Sequence, residues 1–174
     1  MRLLALILAL SDVLIPFANA QGRPDVSAQK LAMEKIKFLA GTWTGEAIIS
    51  LGEGKQMTIS QTEDVQYRLD GLLMLIEGTG RDKSGRIIFN AVAAVSFDEK
   101  SGTYRIRAWN SGNFVETEMK VAGMGFEWGF QQGPMTVVDR MVIDEQGRWS
   151  ETSEATLTDG RKLHTVKMML TRKP

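Results

Sequence analysis

His164 is the only histidine in these 174 residues, and there is no cysteine. Any Ser–His–acid relay would have to pass through His164, and no Gly-x-Ser-x-Gly elbow occurs to present a serine. Zinc held by protein groups alone asks for three or four His, Cys or acid ligands, which a single histidine leaves largely unsupplied. Gly78-Thr79-Gly80 and Gly123-Met124-Gly125 could be taken for phosphate loops, but no helical pattern follows either. They read instead as strand ends or bulges. Glu116 and Glu118 stand two residues apart, the spacing of a carboxylate pair on one strand face and equally that of any polar outer face. No catalytic residue and no metal site is assigned.

More informative are polar residues placed on otherwise apolar faces. Glu63 shares its alternation with Met57, Ile59, Val65 and Tyr67; Glu116 follows Phe114; Asp139 lies between Val137 and Met141; Glu151 follows Trp149. If those faces point inward, several carboxylates line an interior and need partners, since a buried charge without one is costly. Arg105, Arg107 and Arg140 are the candidate partners, or the candidate hold on an anionic ligand head. If the faces point outward, the charges need no explanation. Around them gather aromatic residues: Phe126, Trp128 and Phe130 with Met124 on one face, and Tyr104, Trp109 and Phe114 from the segments before. Ten methionines add adaptable apolar surface. Trp109, Trp128, Phe126 and Arg107 are the candidate ligand-binding set.

The elements that must position these residues follow from periodicity. Residues 28 to 39 carry a helical pattern with Leu31, Lys35 and Phe38 on one side and Ile36 and Leu39 nearby, Ser27 as a cap and Gly41 as the stop. From Thr42 onward the period becomes two, broken every ten or so residues by turns such as Asp70-Gly71, Gly133-Pro134 and Asp159-Gly160. Ten strands result, all joined by short connections, which enforces antiparallel neighbours. No helical segment remains to cover a sheet face, and an open ten-stranded sheet would expose two edges. A closed up-and-down barrel preceded by one short helix is the expected fold.

The ends differ from the middle. Arg2, the apolar run Leu3 to Leu10 and the small-residue ending Ala18-Asn19-Ala20 describe a signal peptide over residues 1–20, cleaved before Gln21. That run is too short to span a bilayer. The expected organisation is a signal peptide, a lead segment with a short helix over 21–40, and a barrel domain over 41–174. The protein is then exported, to the periplasm or outside the cell, with no membrane span after cleavage. Twenty-one basic and twenty-one acidic residues balance, so no basic surface for nucleic acid stands out.

At Phe38-Leu39-Ala40-Gly41-Thr42-Trp43-Thr44-Gly45-Glu46, with the strand count that follows, the chain resembles the calycin superfamily of β-barrels. Within it, the chain looks most like the nitrobindin and fatty-acid-binding-protein end, and like a bacterial family of exported or cytoplasmic barrels. The resemblance implies that Trp43 plugs one end of the barrel, with Arg172 packed across its indole. It also implies an interior that holds a small apolar or amphipathic molecule non-covalently. Nitrobindin-like barrels hold haem through a histidine near the C-terminal end, so His164 is the candidate axial ligand if haem is the cofactor. A core filled by side chains, with partners docking on the outer wall, is the remaining alternative.

Overall fold

A computed structural model describes residues 24–52 and 54–174, with the backbone alone for 163–165. The expected leader, residues 1–20, lies outside the described residues. A helix, α1 (Ser27–Glu34), leads through a 3₁₀ turn (Lys37–Leu39) into ten strands. These are β1 (Gly41–Gly52), β2 (Lys55–Arg68), β3 (Leu73–Arg81), β4 (Ile87–Asp98), β5 (Thr103–Asn110), β6 (Asn113–Ala122), β7 (Gly125–Gln132), β8 (Met135–Ile143), β9 (Trp149–Leu157) and β10 (Lys162–Arg172). Each strand pairs antiparallel with its neighbours in sequence, and β1 pairs with β10, so the sheet closes as an up-and-down barrel.

The helical segment is shorter than its periodicity suggests, and Ser27 does not cap it. Val26 precedes the first helical residue without a side-chain cap, and Asp25 accepts the Ser27 amide at 3.0 Å instead. At the far end the last carbonyls serve tertiary partners. The Trp43 indole N–H donates to Leu39 O at 2.8 Å, and the Arg172 guanidinium donates to Ala40 O at 2.8 Å and to Phe38 O. Those bonds favour a tight 3₁₀ turn over a continued α-helix. Met33, Ile36 and Leu39 are buried beneath it, and the hydroxyls of Tyr67 and Tyr104 donate to Met33 O and Ala32 O at 2.5 and 2.6 Å. The helical lead is thus tied to the barrel from β1, β2, β5 and β10.

Closure depends on a close approach. Gly45 of β1 stands opposite Leu170 of β10. A Cβ on Gly45 would lie 2.1 Å from the backbone oxygen of Met169, so only glycine lets the first and last strands meet there. Beside it, Trp43 is fully buried, and the Arg172 guanidinium carbon lies 4.3 Å from its ring centroid. Trp149 meets Trp43 edge to face at 5.6 Å, and Phe126 meets Trp149 in turn at 6.1 Å. These rings, with Leu39, Met33 and Leu170, make the core at one end of the barrel.

Candidate functional site

Register decides which side chains face inward. Along β2 the buried positions alternate as Ile59, Gln61, Glu63 and Val65. Their partners carry the inward face to Gly80, Gly78 and Ile76 of β3, and from there to Phe89, Ala91 and Ala93 of β4. On the other side Phe126, Trp128 and Phe130 of β7 stand opposite Met141, Asp139 and Val137 of β8. Those in turn meet Glu151, Ser153 and Ala155 of β9. Between these walls lies a cavity of about 580 Å³. It opens at the barrel end formed by the β5–β6 and β7–β8 turns, where Asn110, Ser111, Asn113, Gln131 and Gln132 border it. Trp128 and Phe130, stacked at 5.5 Å, form one wall, with Phe89 and small alanines across from them.

The inner part of this cavity is acidic. Glu63, Asp139 and Glu151 all line it. Burial pushes the Glu63 carboxyl up to about 7, against the Gln61 amide, which donates to it at 2.7 Å. Burial also raises Asp139, against a hydrogen bond from Ser153. Glu151 is raised furthest, to about 8, by burial first and then by the charges of Asp139 and Glu63. The Trp149 indole N–H donates to Glu151 at 2.7 Å and works the other way. Glycines make room for this group: a Cβ on Gly78 would lie 2.9 Å from both Glu63 carboxylate oxygens, and one on Gly80 would lie 2.7 Å from Gln61 Oε1. Gly78-Thr79-Gly80 therefore sits inside a paired strand, with a register shift only at its end, between Gly80 and Arg81.

The arginines expected to neutralise the acids are elsewhere. Arg105 and Arg107 share the outer face with Glu116, and Arg107 pairs with Glu116 at 3.0 Å. Arg140 lies outside between Glu127, at 2.7 Å, and Glu154. Glu116 and Glu118 are exposed. Of the candidate ligand-binding set, Phe126 and Trp128 line the cavity directly. Trp109 occupies an outward register position beside Phe114, 46% exposed, and the two rings border the cavity at its mouth. Arg107 contributes nothing to the lining. Glu63, Asp139 and Glu151 appeared in the sequence as polar breaks in apolar alternation, a signal that locates them without giving their direction. Gln61 lies on the same alternation and is equally buried, and a neutral amide carries no such flag.

A haem would need an axial ligand and, for its propionates, cationic partners. Among the described residues lining the cavity there is no histidine, cysteine, methionine, tyrosine or basic side chain. The backbone of His164 pairs with Ala155 of β9. The described lining supplies no haem ligand, so the haem reading rests on His164 alone. Nor do three His, Cys, Asp or Glu side chains among the described residues come together as a metal site. Among the described residues no helix is long and apolar enough to cross a membrane.

No protein-family model and no curated protein sequence matches this chain. Solved structures do. The crystal structure of Rv2717c from M. tuberculosis superposes with a TM-score of 0.63 at 10% identity, covering 82% of this chain and 98% of that one. An S-type phycobiliprotein lyase from Guillardia theta superposes with a TM-score of 0.60 at 10% identity, covering 82% of this chain and 93% of the other. At that identity the likeness concerns the fold alone.

Proposed function

We propose that this protein is an exported carrier that holds a small, mostly apolar molecule non-covalently inside its barrel. The observation that carries the proposal is the cavity of about 580 Å³, with aromatic walls and a polar inner end. Ligand pockets occupy roughly 300–1,000 Å³ and combine apolar walls with a few convergent polar groups. A void of this size argues against a filled barrel whose only business is on its outer wall. Trp128, Phe130 and Phe126 supply the apolar contact, and Trp109 with Phe114 borders the entrance. Trp43 and Arg172 seal the opposite end. Export rests on residues 1–20 alone, and the N-terminus of the protein recovered from the periplasmic or culture fraction tests it: Gln21 is expected, and an intact Met1 in the cell would overturn it.

Binding is tested with Nile red, a neutral probe whose emission rises in apolar surroundings. Saturable enhancement with the wild-type chain is expected, weakened about tenfold or more by Trp128→Ala combined with Phe130→Ala, since each ring buries a large apolar area. Arg107→Ala should leave it unchanged. No enhancement, or enhancement untouched by the wall substitutions, would overturn the proposal.

A further inference from the structure

The inner end of the cavity has a composition that narrows what can occupy it. Glu63, Asp139 and Glu151 converge on it from β2, β8 and β9, and each is drawn from a different part of the wall. The charges near enough to act on Glu151 are those of Asp139 and Glu63, both of its own sign. Among the described residues lining this end, the neighbouring groups are Gly78 of β3, Phe126 and Trp128 of β7, and Trp149 and Ser153 of β9, none of them charged. The arginines that the sequence offers as partners, Arg105, Arg107 and Arg140, are committed to the outer face. One further group is unsatisfied. Gln61 is 3% exposed, lies on the inward face of β2, and donates its amide to Glu63, while its Oε1 has no hydrogen-bond partner. Three carboxyls line this end of the cavity, and no cationic side chain stands beside them among the described lining residues.

We infer that the cavity selects amphiphiles carrying a protonated amine or similar cationic, donor-bearing head, seated among Glu63, Asp139 and Glu151, with the apolar tail against Trp128 and Phe130. The inference rests on the carrier function proposed above and specifies its ligand class. An ammonium has three N–H donors and no acceptor, and it complements this set in both charge and hydrogen bonding. An anionic head would place a further negative charge beside these acids, so a fatty acid is expected to bind more weakly than an amine of the same chain length.

The test compares n-decylamine, n-decanol and decanoic acid at equal chain length. Binding is followed by intrinsic tryptophan fluorescence and by calorimetry in two buffers of different ionisation enthalpy at pH 7. The amine is expected to bind about tenfold or more tightly than the alcohol, and the acid most weakly. Amine binding should release protons, because a cation drives Glu151 and Glu63 toward their ionised forms, and affinity should rise from pH 6 to pH 8. Glu63→Gln and Glu151→Gln should each lower amine affinity more than alcohol affinity and so erode the preference for amine. Equal binding of amine and alcohol, or tighter binding of the acid, overturns the head-group inference and leaves the carrier function standing. Failure of all three probes overturns both. The wild-type comparison needs no variant, so a variant that misfolds does not shelter the inference.

Discussion

Glu151→Gln should make the protein more stable at alkaline pH and leave it nearly unchanged in mild acid. In the unfolded chain Glu151 loses its proton near its ordinary 4.5, whereas in the folded barrel it holds the proton to about 8. Between those values the native state binds more protons than the unfolded one, so stability falls as pH rises through the window and levels off above it. At 1.36 kcal/mol per pH unit, full expression of that difference amounts to about 5 kcal/mol. The cavity opens to water and Glu151 shares its penalty with Asp139 and Glu63, so about 2–3 kcal/mol is the expected share. Glutamine matches the protonated acid in shape, and its amide oxygen can still accept the Trp149 indole N–H. Urea unfolding of wild type and variant at half-unit steps from pH 5 to pH 9 measures the difference directly. The two curves should coincide within about 0.5 kcal/mol at pH 5 and diverge steadily toward pH 8, with the variant above. Parallel curves across that window would refute the placement of Glu151 in a desolvated, like-charged interior.

Three further substitutions probe the frame that holds this interior. Arg172→Met removes the cation over Trp43 and two bonds to the backbone of the helical lead; a loss of about 1–3 kcal/mol is expected, with hydrogen exchange accelerated first along β1 and β10. Gly45→Ala drives a methyl into the Met169 carbonyl and should cost about 3 kcal/mol or prevent folding, read from the thermal transition. Trp149→Phe deletes the one indole donor to Glu151, so the Glu151 carboxyl should titrate at still higher pH in a carbon-13 NMR series.

How much of this was legible in the sequence differs between frame and site. The ten strands and their closure followed from period-two alternation and short turns, because a hairpin of two to five residues leaves little choice of neighbour. The closing pair Trp43 and Arg172 followed from resemblance, and the two residues meet directly in register. Direction was the part left open. Alternation says that Trp128 and Glu127 face opposite ways, yet not which of them faces in, because this barrel carries mixed chemistry on both surfaces. Arg107 and Trp109 lie one residue out of phase with the inward Tyr104, Ile106 and Ala108, so β5 reads as wall lining throughout while these two residues face outward. The helical segment was overestimated for a related reason. Its last carbonyls are claimed by Trp43 and Arg172, partners 4 and 132 residues away, and local periodicity holds no record of them. Gln61 shows the same limit, since a buried orphan acceptor is a property of the packed interior.

The most direct test of a ligand-holding barrel is the mass of the protein as its own cell makes it. The chain should be isolated from the native exported fraction and weighed by native mass spectrometry beside a denatured control. The expected result is a mass above that of the polypeptide, lost on denaturation, whose difference weighs the ligand itself. A bare polypeptide mass, together with Nile red emission unchanged by the purified protein, would contradict it.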